Sequence, residues 1–379
     1  MDIHTSLPLL GGLTAAQFMK QYWQKKPLLV RNAVADFASP LAGRDLFVMA
    51  AMEGVEARLV ERNKDGWRVR TGPFARRALP PIGRPGWTLL VQGVNLLHRP
   101  AQKLLQQFRF VPDARLDDLM VSFATDGGGV GPHFDSYDVF LLQMQGQRQW
   151  RIGRQDDLTL RDNAPLKVLA HFAPEEEFVL NPGDMLYLPP RYAHDGVAKG
   201  DCVTYSVGFR APAKDELARE LLLRLTDEPD EQTPSPLYRD RKQKAVEHPG
   251  AVPAGLQDYA QRAVMAALRE PHALARALGE YLSEPKANVW FDASEAPDDA
   301  ESTGLVLDGR TRMLYDERHV FINGESYLAS GRDAKLMRHL ADRQCLSAAE
   351  FKKASIVAKE LILEWLGAGW LQYQPEEIS

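Results

Sequence analysis

The sequence predicts an α+β protein whose first part is a β-barrel or double-sheet jelly roll and whose remainder is mainly helical. Between about residues 55 and 209, short apolar runs alternate with turn-forming residues, as they do in antiparallel barrels. After residue 210 the apolar residues follow a helical period, and a stretch rich in Pro and charge comes next. We therefore expect a jelly-roll domain (1–210), a helical linker (211–285) and a C-terminal domain (286–379).

The first part should begin with a helix that delivers the chain into a sheet. Thr14 is the expected N-cap of this helix, and a short apolar strand should follow Pro27. Gly146 is interpreted as a turn between two strands. The expected barrel strands are the runs ARLVER, WTLLVQG, DLMVSFAT, DVFLLQMQG, RQWRIG, EEFVLNPGDMLYLPP and CVTYSVGF.

The sequence after residue 210 predicts helices followed by a small winged-helix-like domain. A helix is expected in DELARELLLRLTDE, and two more between Gln257 and Leu282, with Pro271 near their break. The end of the chain reads as strand, helix, helix and strand: HVFINGESYLA, RDAKLMRHLADRQ, SAAEFKKASIVAKELILEWLGAG and GWLQYQ. Residues 308–379 contain 10 Lys or Arg against 11 Asp or Glu, so we expect no direct role in binding DNA.

Composition excludes several classes of protein. The 379 residues are 45% hydrophobic and 26% charged, which is ordinary for a globular protein, and the formal charge of -5 gives no chain-wide basic field. The two cysteines form no CxxC pair, so neither a disulfide framework nor a thiolate zinc site is expected. No apolar run reaches the length of a membrane span, and we expect a soluble, cytoplasmic protein.

The residues that predict chemistry are two histidines and one aspartate. His133 and Asp135 are two positions apart, so on an extended strand both side chains point to one face. His194 lies 61 residues after His133, and in a barrel its strand can return beside the first. Two imidazoles and one carboxylate leave open positions on a non-haem iron(II) ion for a keto acid and dioxygen. These three residues are the predicted metal ligands and catalytic centre.

Arg148 is the predicted partner of the distal carboxylate of the keto acid, because an unpaired carboxylate inside an apolar barrel is costly. Asp126 and Tyr137 flank the metal-binding segment and are candidates for contact with a substrate side chain. Other interpretations remain open: a lone His-x-Asp pair is common by chance, and Arg148 could be a surface ion-pair residue. Asp126 could be a turn former and Tyr137 a packed ring.

The order of the segments QFMKQYWQKKPLLVRNA, GPHFDSYDVFLLQMQGQRQWRIG and PGDMLYLPPRYAHDG resembles the JmjC-type ribosomal oxygenases, and most closely their bacterial branch. The resemblance implies a double-stranded β-helix (cupin) barrel that binds Fe(II) through His133, Asp135 and His194 and the co-substrate 2-oxoglutarate through Arg148. It also implies a homodimer joined through the helical region after the barrel, and a winged helix at the end.

The implied reaction consumes O2 and hydroxylates the β-carbon of an arginine in a large-subunit ribosomal protein, with succinate and CO2 as co-products. Asp126 and the ring of Tyr137 would suit the guanidinium of such a substrate. From the strand before the HxD pair, which contains Val121 and Phe123, no 2-oxoglutarate contact is carried over. The alternatives are a metal-binding cupin without oxygenase chemistry and a winged-helix regulator that senses a ligand.

Overall fold

The computed structural model describes residues 2–34, 41, 43–63, 66–226, 237–241, 250–268, 271–293 and 303–374. The chain forms two compact units, Met1–Ala211 and Pro212–Ser379. Most of the Pro- and charge-rich stretch expected to be a boundary lies outside the described residues. The expected division of the second unit near residue 285 remains a prediction.

The described residues of the first unit form nine strands and four short helices. Its strands are β1 (Leu28–Val30), β2 (Ala57–Asn63), β3 (Gly66–Thr71), β4 (Trp87–Val91), β5 (Leu116–Ala124), β6 (Asp138–Gly153), β7 (Glu176–Leu180), β8 (Met185–Leu188) and β9 (Ala193–Phe209). Its helices are α1 (Ala15–Gln21), α2 (Gly43–Met49), α3 (Val94–Leu97) and α4 (Arg99–Gln106), with 3-10 turns at Pro8–Leu10, Arg76–Ala78 and Asp113–Arg115.

Helix α1 begins where the sequence predicts it. The Thr14 side chain accepts a hydrogen bond from the backbone N–H of Gln17 at 3.1 Å, and the Gln17 side chain accepts one from the Thr14 N–H at 2.9 Å. This reciprocal capping satisfies two N–H groups that a helix start leaves without partners. Phe18 of α1 is fully buried and packs against the rings of Phe140 and Tyr187 on the barrel. Burial of such a side chain contributes about 1.5–3 kcal/mol, which holds the helix on the sheet.

The nine strands form one antiparallel sheet in the order β1-β8-β6-β9-β5-β4-β2-β3, and β7 also pairs with β6. Strands β6 and β9 are 16 and 17 residues long and pair along most of their length. The first half of β6 pairs with β8 and its second half with β7, so the sheet curves into the expected jelly roll. A core of Trp87, Phe108, Phe140, Tyr187 and Phe209 fills one side of it.

Gly146 is not the turn between two strands that the sequence suggested. It lies inside β6, where the register with β9 shifts on both sides of Gln145. Its φ is +64°, and a Cβ there would lie 2.1 Å from the carbonyl oxygen of Asp201. Gly146 therefore forms a bulge that lets one continuous strand bend, which is why two predicted strands are one.

Two further predictions about the barrel need correction. Strand β9 begins at Ala193, nine residues before the predicted run that starts at Cys202. Strand β3 was not predicted, because its sequence GWRVRT carries two arginines and resembles a charged loop. Both arginines lie on one side of β3, and alternation of charged with apolar residues is compatible with an edge strand.

The second unit consists of helices followed by two small sheets. Its helices are α5 (Lys214–Thr226), α6 (Ala254–Ala267), α7 (Pro271–Ser283), α8 (Gly331–Arg343), α9 (Ala348–Lys352) and α10 (Ile356–Gly367). Its strands are β10 (Leu305–Leu307), β11 (Met313–Tyr315), β12 (His319–Ile322), β13 (Glu325–Leu328), β14 (Cys345–Leu346) and β15 (Leu371–Tyr373). The sheets have the orders β14-β10-β15 and β11-β12-β13.

The winged-helix-like end has its own apolar core, which includes Leu340, Ile362 and Trp365. The single helix expected from residue 347 to 369 is two helices, α9 and α10. Helix α9 ends at Lys352, and Ser355 caps the start of α10, since its hydroxyl accepts from the Ala358 N–H at 3.2 Å. Among the described residues, no helix combines the length and the apolar character needed to cross a membrane.

Candidate active site

The structure brings His133, Asp135 and His194 together, as the sequence predicts. Their nearest potential ligand atoms all lie within 4.8 Å of one another. His133 and His194 are joined by two backbone hydrogen bonds, at 2.9 and 2.8 Å, and their ring centroids are 4.2 Å apart. An Oδ of Asp135 lies 3.6 Å from Nε2 of His194. Two nitrogens and one carboxylate at this separation are a donor set that fits iron(II).

The backbone orients both imidazoles. Nδ1 of His133 lies 2.9 Å from the carbonyl oxygen of Gly131, and Nδ1 of His194 lies 3.0 Å from that of Tyr192. A carbonyl oxygen can only accept, so each Nδ1 carries the proton and each Nε2 keeps a lone pair. Burial, and then the neighbouring imidazole of His133, lower the pKa of His194. The ring is therefore neutral at neutral pH, as a metal ligand must be.

The two ligands of the HxD pair do not lie on a regular strand. His133 forms an isolated bridge with His194, and Asp135 lies in the irregular segment just before β6. The spacing argument selected residues that the structure brings together, but the arrangement comes from the bridge to β9 rather than from a strand that carries both side chains. His194 is the second residue of β9 and lies opposite Ile152 of β6.

Arg148 is buried at 4% exposure on β6, inside the barrel. Its Nη1 donates to the hydroxyls of Ser122 at 3.0 Å and Thr204 at 3.3 Å, and its guanidinium stands over the ring of Trp150. Among the residues that the structure describes, no carboxylate lies within 4.0 Å of this guanidinium, and its Nε has no hydrogen-bond partner. Burial lowers the pKa of Arg148 from its ordinary value. A buried cation without a counter-charge is costly unless an anion binds it.

Ser122 was missed by the sequence reasoning, which looked for polar contacts at Val121 and Phe123 on β5. Those two side chains belong to the apolar core. The residue between them points to the opposite face of the strand and lines the same cavity as Arg148. The signal in the sequence was a single serine in an apolar run.

One cavity contains the three clustered ligands and Arg148. Its volume is about 650 Å³. The wall includes Tyr137, which is 36% exposed, and the carboxylates of Asp117 and Asp118. A cavity of this size can hold a small co-substrate and a protruding side chain at the same time. Tyr137 is thus placed where a substrate could contact it.

Asp126, the other residue suggested for substrate contact, is not brought to the cavity. Its exposed carboxylate accepts a hydrogen bond from the backbone N–H of Gly200 at 2.8 Å. Its own carbonyl accepts from the N–H of Gly86. Both contacts fix loops at one end of the barrel, which is the turn-forming role that the sequence left open. Asp126 therefore has a structural role at the end of the barrel.

The double-stranded β-helix and its His-x-Asp…His cluster define the JmjC class of oxygenases, and comparisons with known proteins agree. The model of the JmjC domain matches residues 103–217, and that of the ROXA-like winged helix matches residues 260–372. Ribosomal protein uL16 3-hydroxylase of Escherichia coli (strain K12) is 34% identical over 349 residues, which are 89% of this chain and 91% of that protein.

Solved structures give the same result over nearly the whole chain. The X-ray structure of E. coli YcfD aligns with a TM-score of 0.83 at 30% identity, over 96% of this chain and 98% of that one. A second structure of YcfD, described as a ribosomal oxygenase in complex with cobalt and 2-oxoglutarate, aligns with a TM-score of 0.78 at 30% identity, over 96% and 99% of the two chains.

The chain belongs to the JmjC-domain ribosomal oxygenases. This membership confirms the predicted fold class and the predicted enzyme class, a 2-oxoglutarate-dependent oxygenase that uses Fe(II). It also sets aside the two alternatives that the sequence left open, a cupin without oxygenase chemistry and a winged-helix regulator without enzymatic activity.

Proposed function

We propose that the enzyme hydroxylates the β-carbon of an arginine in a large-subunit ribosomal protein, with succinate and CO2 as co-products. The observation that carries the proposal is the buried, uncompensated guanidinium of Arg148 in one cavity with His133, Asp135 and His194. A dicarboxylate such as 2-oxoglutarate would supply the missing counter-charge. The name of the E. coli relative, uL16 3-hydroxylase, supports both the substrate class and the carbon position.

Each residue of the site has its own role in this proposal. His133, Asp135 and His194 would hold iron(II), and Arg148, supported by Ser122, would bind the distal carboxylate of 2-oxoglutarate. Bound iron supplies the redox chemistry that couples oxidative decarboxylation of the keto acid to insertion of oxygen into a C–H bond. The protein itself binds and orients the co-substrate and the substrate, and it excludes water from the cavity.

The wall of the cavity suits an arginine side chain. Tyr137 offers a ring face on which a guanidinium can stack, and Asp118 adds negative charge to the same wall. The carboxylate of Asp117, which also lines the wall, is already paired with Arg210 at 2.8 Å. Asp118 is 4% exposed and accepts a hydrogen bond from the backbone N–H of Gly93 at 2.8 Å, so its position is fixed. A fixed carboxylate in the same cavity as an aromatic ring favours a cation over a neutral side chain of the same length.

Mass spectrometry tests the proposal directly. Purified enzyme is incubated with Fe(II), 2-oxoglutarate, ascorbate and a peptide of the large-subunit protein uL16, and fragment ions locate any added oxygen. One oxygen on the β-carbon of an arginine is expected, and none with the His133→Ala variant. Succinate without peptide hydroxylation would keep the oxygenase and reject the substrate. Hydroxylation of a lysine or histidine instead would reject the arginine.

We also propose that the enzyme works in the cytoplasm as a homodimer formed through the helices that follow the barrel. Apolar side chains on α5 and α6 are exposed in the single chain: Leu222, Leu223, Leu256, Val264 and Met265. Contiguous exposed apolar side chains are typical of an interface. Light scattering after size exclusion should give twice the mass of the chain, and Val264→Glu with Met265→Glu should give the monomer. A monomeric wild-type protein would contradict the dimer.

A further inference from the structure

Positive charge is concentrated in one part of the sequence. Residues 57–109 contain 11 Lys or Arg against two Asp or Glu, an excess of nine positive charges in a chain whose formal charge is -5. Much of this excess belongs to strands β2 and β3 and the loop that follows them. Of these cations, among those that the structure describes, only Arg58 lines the catalytic cavity, so the concentration needs another explanation.

Five arginines from this segment form one surface, which we call the arginine surface: Arg68, Arg70, Arg76, Arg77 and Arg84. Arg68 and Arg70 are two apart on β3 and therefore point to the same side. Arg70 donates from Nη2 to the carbonyl oxygen of Ala78 at 2.7 Å, which holds the turn Arg76–Ala78 beside β3. Nη1 of Arg84 lies 3.0 Å from Oε1 of Glu61 on β2.

Glu61 is the single carboxylate within 4.0 Å of any of these arginines among the residues that the structure describes. It is buried at 6% exposure and lies opposite Arg68 in the pairing of β2 with β3. One buried carboxylate for five guanidinium groups leaves an excess of four positive charges. Arg68, Arg76 and Arg77 are exposed, although the guanidinium of Arg76 also stands over the ring of Phe47 at 4.8 Å.

The chemistry of the surface favours a polyphosphate over a protein partner. Protein interfaces have an apolar centre, whereas nucleic-acid interfaces are polar and strongly positive. Within residues 66–86, Ile82 is the one exposed large apolar side chain of the described structure, at 41%. All five cations are arginines, whose planar guanidinium groups bind phosphate oxygens in pairs.

We propose that the arginine surface binds the phosphate backbone of RNA, outside the catalytic cavity. The choice of RNA rests on the proposed ribosomal substrate, which occurs beside ribosomal RNA. The opposite side of the hairpin belongs to the site: Arg58 of β2 lines the cavity, and Trp67 of β3 packs on Gly131, two residues before His133. RNA bound on the outer side would leave the cavity open to the peptide.

The test measures RNA binding by the whole protein without any reaction. Fluorescence anisotropy follows a labelled single-stranded RNA of about 20 nucleotides, a length that spans several phosphate contacts, at two salt concentrations. The variant combines Arg68→Gln, Arg76→Gln and Arg77→Gln, and retains Arg70 and Arg84 because they hold the loop. The matched control removes three exposed cations of the second unit by Arg332→Gln, Lys352→Gln and Lys353→Gln.

The variant should bind RNA at least about tenfold more weakly than the wild type, and the slope of log Kd against log salt should fall by about 2, since each phosphate contact contributes about 0.7. The control should stay within about twofold of the wild type. Equal binding by wild type and variant, or no binding by the wild type at low salt, would overturn the proposal. If the triple variant does not fold, Arg77→Glu in the exposed turn gives the same comparison.

Two competition arms identify the partner. Unlabelled RNA should displace the probe, whereas polyglutamate at equal charge should not; displacement by polyglutamate would assign the surface to an acidic protein and reject RNA. Single-stranded DNA that binds more tightly than RNA would also reject it. Peptide hydroxylation by the variant should stay near wild type, so loss of RNA binding and failure of the proposed hydroxylation are separate results.

Discussion

Arg148 and Ser122 face each other across the inside of the barrel, with Nη1 of the arginine 3.0 Å from the serine hydroxyl. A neutral hydroxyl orients the guanidinium without cancelling its charge. If a carboxylate stood at residue 122, the arginine would already be paired and would gain little from a dicarboxylate ligand. The pair therefore presents an oriented positive charge to the cavity.

Arg148→Gln should weaken the binding of 2-oxoglutarate about 10- to 100-fold, because a hydrogen bond to a charged group contributes about 1.5–3 kcal/mol. Ser122→Ala should weaken it about 2- to 10-fold, as expected for a neutral partner. Calorimetry with a divalent metal present and oxygen excluded measures both. Lys167→Gln removes another cation that lines the cavity and is the control. Equal losses for Lys167→Gln and Arg148→Gln would mean that general charge, not Arg148, binds the co-substrate.

Removal of one metal ligand should abolish stabilisation by metal. A ligand at 100 times its Kd stabilises a fold by about 2.7 kcal/mol, which raises Tm by about 5–10 °C in a unit of this size. Cobalt(II) should raise Tm of the wild type and EDTA should reverse the rise, whereas His133→Ala should show neither. His171→Ala, at an exposed histidine of the same unit, should behave as the wild type. A metal-dependent rise in His133→Ala would place the metal elsewhere.

Tyr137→Ala should raise KM for the peptide and leave the affinity for 2-oxoglutarate unchanged. Loss of a cation–π contact of about 0.5–2 kcal/mol corresponds to about a 2- to 30-fold rise in KM. Tyr137→Phe retains the ring and should stay close to the wild type. Steady-state kinetics with the peptide varied at saturating 2-oxoglutarate separate the two effects. A change in 2-oxoglutarate affinity would assign Tyr137 to the co-substrate instead.

Gly146→Ala should destabilise the barrel more than Gly200→Ala does. Both glycines have positive φ, +64° and +70°, so alanine at either position costs about 1–2 kcal/mol of backbone strain. A Cβ at residue 200 meets nothing within 4 Å, whereas one at residue 146 meets the Asp201 carbonyl. Overpacking adds about 1–3 kcal/mol at residue 146. Urea unfolding measures both variants, and equal losses would contradict the clash.

Asp138 gives the first unit a pH dependence. It is fully buried and accepts a hydrogen bond from Tyr187 at 2.7 Å, and burial raises its pKa above the usual 3.8. Stability linked to such a carboxyl is present below its unfolded pKa and is lost as pH rises through its folded pKa. Asparagine does not ionise, so Asp138→Asn should gain stability relative to the wild type over that interval, by about 1.4 kcal/mol per pH unit. Urea unfolding from pH 4 to 7 measures the difference.

The free energies of unfolding of Asp138→Asn and the wild type could instead differ by the same amount at every pH, or the wild type could gain stability as pH rises. Either result would show that the attraction of Arg115 outweighs the effect of burial on the pKa of Asp138. That guanidinium lies 3.2 Å from Asp138 and favours the charged carboxylate. Arg115→Gln should then shift the pH dependence in the direction first expected, because it removes the attraction and leaves the burial.

The sequence was sufficient for the residue types of the site but not for their surroundings. His133, Asp135, His194 and Arg148 could be found because their chemistry and spacing are unusual in a barrel. Ser122 could not, because odd and even residues of a strand face opposite sides and an error of one position selects the core face. The bulge at Gly146 depends on how β6 pairs with β9, and local sequence carries no information about that pairing.

The lack of information about strand pairing also explains why β3 was not predicted. In GWRVRT the outward side chains are arginines, and what makes the segment a strand is its pairing with β2, whose paired residues lie 3 to 13 positions earlier in the chain. Asp126 shows the converse: a carboxylate near the metal-binding segment in sequence is used at the end of the barrel to accept a backbone N–H. Proximity in sequence did not give proximity in space.

Strands β6 and β9 carry both ends of the proposed co-substrate site. His194 pairs with Ile152, and Arg148 pairs with Ala198, so the two functional positions are four residues apart along one ladder, about 13 Å. Hydrogen bonds between the strands keep that interval constant. If the clustered ligands and Arg148 hold the two ends of the co-substrate as proposed, a keto diacid one methylene shorter or longer than 2-oxoglutarate should bind more weakly, because the ladder fixes the spacing of the two ends.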